Sequence, residues 1–396
     1  MRGPVAPKDP VKKRPCLYVV LDQIIAGRKE DGKYQDHIYL EGRLEDQVRF
    51  TSGEIDDSII ALLGNVADIR KLVHSIGITI KGDEEDHEKE AKFICQCYGK
   101  TQKYMTGTQM EAIVPCSGEE VIMEFASYPI NEEDTVLGQF NIELPSEHKN
   151  AVLTVKLYLN DGYEVPEIEV DPPIQYDTPE YKEMIGNSLV STGNNFRLKR
   201  VIERTKAGDE VTIAYIGGSI TQGAGAKPIN TECYAYQSYK AFCDLFSPCD
   251  GENVHYVKAG IGGTSSELGI VRYDRDVCED GKIKPDLVIV EYAVNDEGDE
   301  TGGVCYESLV KKILAADNEP AVLLLFSVFM NDFNLQDRLQ PIGERYDLPM
   351  VSVKDALVPQ FKESKILTKR QYFYDIFHPT NDGHRIMADC IRNLYE

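Results

Sequence analysis

Ser219 follows a short apolar run at a point where the chain is expected to turn. Residues 211–216 are apolar or β-branched, as in a buried strand, and Gly217 and Gly218 separate them from the serine. Open α/β sheets place their active sites at the carboxyl ends of parallel strands. Glycines at such a place allow a sharp turn and the close approach of a substrate. Taken alone, the pattern is more often a tight turn with a helix-capping serine.

Three later segments share this design, in which an apolar strand or short loop ends in residues that carry chemistry: 254–265, 285–296 and 374–379. They contain Gly262, Asn295 and the pair Asp375 and His378. A further buried strand is predicted at 321–328, and helix-compatible segments separate the strands. Strands that alternate with helices indicate a parallel sheet covered by helices. The ends of these strands are therefore expected at one edge of the sheet.

In this order and spacing, the blocks resemble those of the SGNH (GDSL-type) hydrolase superfamily over about the C-terminal half of the chain. The resemblance implies that Ser219 is the catalytic nucleophile and that His378 is its general base. It also implies that Asp375 orients the imidazole. The oxyanion hole would be formed by the backbone N–H groups of Ser219 and Gly262 and by the Asn295 amide.

The chemistry of these residue types agrees with those roles. A serine hydroxyl becomes a good nucleophile when a base takes its proton, and histidine is the side chain best suited to do so near neutral pH. A carboxylate at Nδ1 holds the imidazole in one tautomer, and Asp375 and His378 are close enough in sequence to lie on one loop. Each residue also has an ordinary interpretation as part of a turn, a loop or a helix cap.

The sequence patterns of other hydrolase families and of nucleotide-binding proteins fit this chain less well. The α/β-hydrolase pattern Gly-x-Ser-x-Gly fails because Thr221 stands where the second glycine belongs. The Ser-x-x-Lys pattern fails because Gln222 replaces the lysine. None of these blocks contains the Gly-Lys-Ser/Thr of a phosphate-binding loop, and the glycines at 260 and 262 are a poor match to a dinucleotide fingerprint.

The chain departs from the usual SGNH pattern at two positions. The first block commonly reads Gly-Asp-Ser, but Gly218 replaces the acid here, which removes one side-chain hydrogen bond near the nucleophile. In the second block Lys258 stands where an asparagine is common, so a cation or its stem is expected beneath the glycine loop.

The N-terminal half differs in character. We predict a disordered arm at 1–15, a β-sandwich (jelly-roll-like) accessory domain at 16–175, and a three-layer α/β/α, flavodoxin-like SGNH domain at 176–396. A helix is predicted at 56–74 from apolar residues near the 3.6 period. Short alternating segments predict five strands: 93–98, 112–115, 120–125, 137–144 and 151–159. Further helices are predicted at 195–207 and 382–394.

Composition limits the function further. The net charge of −23 argues against nucleic acid and anionic membrane surfaces as partners. Ten cysteines without a convincing signal sequence favour free thiols and a cytoplasmic location. The remaining histidines form no ligand cluster, so we expect neither a metal nor a cofactor, and we expect His384 on a helix surface. Oligomeric state stays open, a homodimer being one alternative.

An accessory β-domain before an SGNH domain is similar to the arrangement in carbohydrate esterase family two, which implies deacetylation of polysaccharides. The chain has no Trp, so an aromatic platform for sugar rings must come from Tyr or Phe. Candidates near the block ends are Tyr234, Tyr236, Tyr292, Phe329 and Phe333. For any one of these rings, packing in the core is the more common role.

The sequence thus predicts a serine esterase that hydrolyses small acyl esters, acetyl above all, on carbohydrates or small molecules through an acyl-Ser219 intermediate. Three alternatives stay open. An acyltransferase would pass the acyl group to a sugar or alcohol; a lipase or thioesterase would use the same residues; and a carbohydrate-binding protein would have an inactive site.

Overall fold

A computed structural model describes residues 14–26, 35–53, 55–166, 168, 171–362 and 366–396. The chain divides into two units, Met1–Val170 and Asp171–Glu396. Residues 1–13 of the predicted disordered arm lie outside the described residues. Arg14, at the end of that arm, donates a hydrogen bond to the Leu159 carbonyl.

The first unit contains eight strands and three helices among its described residues. The strands are β1 (Cys16–Ile24), β2 (His37–Glu41), β3 (Val73–Gly82), β4 (Glu90–Gly99), β5 (Gln109–Pro115), β6 (Val121–Glu124), β7 (Asp134–Glu143) and β8 (Ala151–Leu159). The helices are α1 (Leu44–Ser52), α2 (Asp57–Ala61) and α3 (Val66–Leu72).

The strands form two four-stranded antiparallel sheets, with the orders β1-β8-β3-β6 and β2-β7-β4-β5. All five strands predicted from alternating residues are present as β4 to β8. The strands β1 to β3 were not predicted. Antiparallel sheets agree with an all-β accessory domain, and its finer description as a jelly-roll-like sandwich stays a prediction.

The single helix predicted at 56–74 is wrong. The segment forms two short helices, α2 and α3, and from Val73 onwards it enters strand β3. Gly64 and Asn65 lie at the interruption. The Asn65 side chain accepts a hydrogen bond from the Asp68 backbone N–H and so begins a new helix. The apolar period continued through this cap, which is why periodicity alone suggested one helix.

The second unit alternates helices and strands. Its strands are β9 (Leu189–Ser191), β10 (Val211–Gly217), β11 (Val254–Gly260), β12 (Leu287–Glu291), β13 (Ala321–Phe326) and β14 (Met350–Ser352). Its helices are α4 (Pro179–Gly186), α5 (Phe196–Lys206), α6 (Ser219–Gln222), α7 (Tyr234–Phe246), α8 (Ser266–Asp276), α9 (Val304–Leu314), α10 (Gln336–Arg345), α11 (Val353–Lys362), α12 (Lys369–Tyr372) and α13 (Asn381–Tyr395).

The six strands form one sheet in the order β11-β10-β12-β13-β14-β9. Strands β10 to β14 are mutually parallel, and only the short edge strand β9 runs antiparallel to its neighbour. The predicted mixed α/β unit with a parallel sheet is therefore confirmed. The helices predicted at 195–207 and 382–394 are present as α5 and α13.

Alternate residues of the central strand pack against different helices. Ala214 and Ile216 belong to a buried cluster that also contains Tyr273 of α8 and Leu309 of α9. Tyr215 lies between Ala214 and Ile216 in the strand, and its hydroxyl is 2.8 Å from the Ser238 hydroxyl of α7. Because neighbouring side chains of a strand point to opposite faces, helices cover both faces of the sheet.

The expectation that His384 lies on a helix surface is wrong, because its side chain is fully buried. Nδ1 accepts a hydrogen bond from the Tyr234 backbone N–H at 3.2 Å, and Nε2 is 3.0 Å from the Ala224 carbonyl. On α13, His384 is three residues before Met387 and seven before Ile391, so it shares their buried face. Burial lowers its pKa to about 3.

We predict that His384 makes the protein sensitive to acid. The unfolded histidine takes up a proton near pH 6.5 and the folded one only near pH 3, so folding stability is present above 6.5 and falls as pH decreases toward 3. His384→Leu should lose about 1–3 kcal/mol at pH 7 because two buried backbone groups lose their partners.

Urea unfolding followed at pH 7 and at pH 5 measures both effects. The control is His255→Leu, which removes an exposed histidine from β11. A His384→Leu protein whose loss of stability between the two pH values equals that of the wild type would contradict this account.

Candidate active site

The register of three parallel strands brings the predicted blocks together. Gly217, the last residue of β10, pairs with Gly260 of β11 on one side and with Glu291 of β12 on the other. The chain therefore leaves the sheet at the same level in all three strands. Ser219 follows two residues after this row, while Gly262 follows two residues after Gly260.

Ser219, His378 and Asp375 form a continuous hydrogen-bonded chain. The Ser219 hydroxyl lies 2.9 Å from His378 Nε2, and His378 Nδ1 lies 2.8 Å from an Asp375 carboxylate oxygen. With the proton on Nδ1 donated to the carboxylate, Nε2 is left as an acceptor for the serine hydroxyl. The predicted nucleophile, base and orienting acid are thus within hydrogen-bonding distance of one another.

The loop that carries the acid and the base is fixed by its own hydrogen bonds. The second Asp375 oxygen accepts from the backbone N–H groups of Phe377 and His378, at 2.8 and 2.7 Å. The Tyr374 N–H donates to the His378 carbonyl at 2.7 Å. Since the carboxylate bonds both to the backbone and to the imidazole of His378, rotation of the ring is restricted.

The charges of the pair reinforce each other. Burial alone lowers the pKa of His378, but the Asp375 charge and hydrogen bond outweigh it and raise the pKa above its usual value. Burial alone raises the pKa of Asp375, but the imidazole and the backbone donors hold it below its usual value. The pair therefore stabilises an imidazolium beside a carboxylate, which is the state formed when the serine gives up its proton.

Asn295 lies directly against the turn before the nucleophile. A Cβ placed on Gly218 would be 2.0 Å from Asn295 Oδ1 and 2.9 Å from its Nδ2. No residue with a side chain fits here unless Asn295 moves. The glycine at position 218 therefore does more than remove one hydrogen bond, because Asn295 occupies the space that an acidic side chain would need.

Gly262 also lies at the nucleophile, and its N–H already has a partner. A Cβ placed on Gly262 would be 3.6 Å from Ser219 Cβ, and the backbone N–H donates to Gln222 Oε1 at 3.0 Å. The amide oxygen of the exposed Gln222 side chain thus occupies a position that a substrate carbonyl oxygen would need. Binding would require this side chain to move.

Lys258 acts on the same turn. Its Nζ donates to the Gln222 carbonyl at 3.0 Å and to Asn230 Oδ1 at 2.9 Å. The cation that replaces the common asparagine therefore ties the end of α6 to the following loop.

Two further charged groups lie near the site and were not predicted. Glu291 is fully buried at the end of β12 and bonds to the Thr221 and Ser327 hydroxyls. Lys227 interacts electrostatically with Asp375 and His378, and burial lowers the pKa of Lys227 to about 8. Glu291 could have been identified from the sequence, because it is a glutamate at the end of an apolar strand. Nothing in the sequence singled out Lys227.

A family model of the GDSL-like Lipase/Acylhydrolase family matches residues 215–386. This range begins inside the nucleophile strand and ends after the loop of His378, so it includes all five predicted site residues. Lipases and acylhydrolases are carboxylic ester hydrolases, so the match supports this enzyme class for residues 215–386. The sequence matches none of the curated proteins with which it was compared.

Solved structures similar to this chain include a two-domain esterase (CEX) active on acetylated mannans, at 36% identity and a TM-score of 0.48. The match covers 53% of this chain and 55% of that one, so the chain spans about half the length of that esterase. Axe2, an acetylxylan esterase from Geobacillus stearothermophilus, matches at 18% identity over 48% of this chain and 96% of its own, with a TM-score of 0.37. A putative lipolytic protein of the G-D-S-L family from Desulfitobacterium hafniense matches at 13% identity over 47% and 99%, with a TM-score of 0.35.

Four of the five aromatic candidates near this site fall into two groups. Tyr234 and Tyr292 are fully buried and belong to the core. Phe329 and Phe333 are half-buried and stack with ring centroids 6.2 Å apart. Phe329 also packs edge-on against Phe377, the neighbour of His378, at 5.0 Å.

The remaining candidate, Tyr236, lies on α7 and packs with Tyr239 and Tyr256. These contacts place it in a separate aromatic group from the one beside His378.

Within the part of the chain that the structure describes, one group of side chains has the composition of a metal site. The ligand atoms of Glu267, Asp299 and Cys305 lie within 4.8 Å of one another. The Asp299 carboxylate already accepts hydrogen bonds from Thr301 and from the Gly303 backbone N–H. Its position is explained by this turn. Among the described residues, no helix is long and apolar enough to cross a membrane.

We predict that Gly218→Ala removes most of the ester hydrolysis expected of this site while leaving the protein folded. The added Cβ would overlap Asn295 and displace its amide, and the loss of one oxyanion donor lowers kcat by roughly 10²–10³-fold. The measurement is steady-state hydrolysis of p-nitrophenyl acetate, with circular dichroism to monitor folding.

Gly298→Ala is the matched control, because a Cβ there meets open space. Its kcat should stay near that of the wild type. An unchanged kcat for Gly218→Ala would show that Asn295 is not needed at its observed position.

Proposed function

We propose that this protein is a serine esterase that hydrolyses acetyl and other small acyl esters of carbohydrates through an acyl-Ser219 intermediate. The observation that carries the proposal is the hydrogen-bonded chain from Ser219 through His378 to Asp375. All three groups are half-buried and lie at the carboxyl edge of a parallel sheet, where a substrate has access to them.

In the first half of the reaction, His378 Nε2 accepts the Ser219 proton as the serine oxygen attacks the ester carbonyl carbon. The carbonyl π electrons move to its oxygen, which becomes an oxyanion. When the tetrahedral intermediate collapses, the alcohol leaves and takes the proton from His378. Asp375 stays ionised and stabilises the imidazolium throughout.

The oxyanion is stabilised by donors that lie around the turn. The backbone N–H groups of Ser219 and Gly262 and the Asn295 amide are the proposed donors. Because Gln222 Oε1 accepts from the Gly262 N–H at 3.0 Å in the free protein, the carbonyl oxygen of the substrate ester must replace this amide oxygen. Water, activated by His378, then hydrolyses the acyl-enzyme by the reverse sequence.

The cluster formed by Phe329, Phe333 and Phe377 supports a sugar as the alcohol. The rings are half-buried, they contact one another, and the Phe377 ring lies 6.1 Å from the His378 ring. The leaving alcohol must lie beside His378 to take its proton. An aromatic face there suits the C–H face of a sugar ring, while its hydroxyls face water.

The wider assignments are proposals that agree with this function. We infer a jelly-roll-like β-sandwich domain at 16–175 and a flavodoxin-like SGNH domain at 176–396. A cytoplasmic location is supported by the ten cysteines, which are all free thiols in the structure. The proposed ligands are small-molecule or oligosaccharide esters.

The function is tested by hydrolysis of p-nitrophenyl acetate, butyrate and octanoate by the wild type and by Ser219→Ala. We expect the acetate to be the best substrate and the Ser219→Ala protein to lose about 10³-fold or more in kcat. Acetylated manno- and xylo-oligosaccharides should then release acetate.

Other outcomes separate the alternatives. Preference for octanoate would contradict the small-acyl proposal and indicate a lipase or thioesterase. A new ester formed on an added sugar, in place of free acetate, would indicate an acyltransferase. Activity that survives in Ser219→Ala would contradict the mechanism.

The aromatic cluster makes a separate prediction. Phe329→Ala should raise KM for an acetylated oligosaccharide by roughly tenfold, equal to about 1.4 kcal/mol of lost binding, and should raise it much less for p-nitrophenyl acetate. Phe246→Ala is the control, since its ring packs against Phe242 and Tyr395 of the core. Equal changes for both substrates would contradict a sugar-binding role.

A further inference from the structure

Glu291 is a fully buried carboxyl group whose observed hydrogen-bond donors are uncharged. One oxygen lies 3.1 Å from the Thr221 hydroxyl, and the other accepts a short hydrogen bond from the Ser327 hydroxyl. The backbone N–H of Gly218 is a third donor. A buried carboxyl group without a cationic partner costs folding free energy, and the proposed mechanism does not yet use this one.

These bonds join the parts of the active site. Thr221 belongs to the helical turn that begins with Ser219, and Gly218 is the residue before the nucleophile. Ser327 immediately follows β13, and its carbonyl accepts a hydrogen bond from Asn334 in the loop that contains Phe329 and Phe333. Glu291 itself precedes Asn295 by four residues. One carboxyl group thus connects the nucleophile turn with two neighbouring strand ends.

Glu291 is also within electrostatic range of the base. Its negative charge is one of the influences that raise the pKa of His378. Burial in turn raises the pKa of Glu291 to about 7, against the effect of its hydrogen bonds. The side chain therefore changes charge over the pH range in which His378 must lose and gain a proton.

The groups that face Glu291 from the surrounding elements are largely neutral. Titratable side chains that interact with it electrostatically are Tyr234 of α7, Tyr292 and Asp296 after β12, Tyr306 of α9, Tyr372 of α12, and His378. Burial raises the pKa of each tyrosine, so none of them carries charge near neutral pH. Of this set, only Asp296 and His378 are able to be charged together with Glu291.

We propose that Glu291 is a positioning residue of this site, which holds the Ser219 turn through Thr221 and supplies a buried negative charge that favours the His378 imidazolium. The proposal rests on the proposed esterase function. The attack of Ser219 on the ester proceeds as described above. The serine proton moves to His378 Nε2, the new bond forms between Ser219 Oγ and the carbonyl carbon, and no proton moves to Glu291.

The test is a pH titration of the His378 imidazole by NMR with labelled histidine, in Ser219→Ala protein with and without Glu291→Gln. Glutamine keeps the size of the side chain and removes the charge. We expect the midpoint of the His378 titration to fall by roughly half a pH unit or more. Asp389→Asn, which neutralises another carboxyl group whose pKa is raised by burial but whose partner is Tyr181, should leave the midpoint in place. Equal midpoints with and without Glu291→Gln would overturn the proposal.

Ser327→Ala provides a second test that keeps the carboxyl group, in case Glu291→Gln does not fold. Loss of a donor to the charged form raises the pKa of Glu291 further, so the step that Glu291 causes in the His378 titration should move to higher pH. A curve identical to that of the Ser219→Ala parent would overturn the proposal.

Activity measurements separate this proposal from the function on which it rests. In protein with Ser219 intact, Glu291→Gln should lower kcat for p-nitrophenyl acetate about tenfold and move the acidic limb of kcat/KM to lower pH. If the wild type does not hydrolyse the ester, the proposed function fails, but the NMR titration still decides the role of Glu291.

Discussion

The active site depends on the parallel register of β10, β11 and β12. Gly217 pairs with Gly260 and with Glu291, so three chain segments leave the sheet at the same level. Side chains cannot separate them there, because Cβ atoms on Gly217 or Gly260 would lie 2.1–2.4 Å from neighbouring atoms. The close approach of these segments places Ser219, Gly262 and Asn295 together. Asp375 and His378 come from one further loop.

The close packing leaves room for few charges, and each has a defined environment. Asp375 has backbone donors and an imidazole partner, so it stays ionised despite burial. Glu291 has only hydroxyl and backbone donors, and for this carboxyl group burial outweighs the hydrogen bonds. Two carboxyl groups near the same histidine thus have pKa values displaced in opposite directions. Such a difference between neighbouring groups is typical of sites that perform acid–base chemistry.

The sequence indicated the candidate catalytic residues better than the residues that surround them. Ser219, Asn295 and His378 could be located because each lies just after a recognisable strand or in a distinctive short motif. The parallel sheet followed from the same strands. Gly218 was noted as a departure, but only the structure shows that Asn295 fills the space of the missing side chain.

Other features depend on contacts between distant segments and could not be predicted. Gln222 bonds to Gly262 across forty residues, and Glu291 bonds to hydroxyls on two other segments. His384 is different, since its spacing from Met387 and Ile391 contained the information that it is buried. In the first unit, Gly64 and Asn65 end one helix and begin another, and this local signal was hidden by a continuous apolar period.

The most direct test of the account is covalent labelling of the nucleophile with a p-nitrophenyl phosphonate ester, followed by peptide mass spectrometry. The serine oxygen would displace p-nitrophenolate and form a stable bond to phosphorus. We predict one label per chain, located on Ser219, with loss of activity in parallel and with much slower labelling of His378→Ala. A label on another residue, or complete inactivation with Ser219 unmodified, would contradict the assignment of Ser219 as the nucleophile.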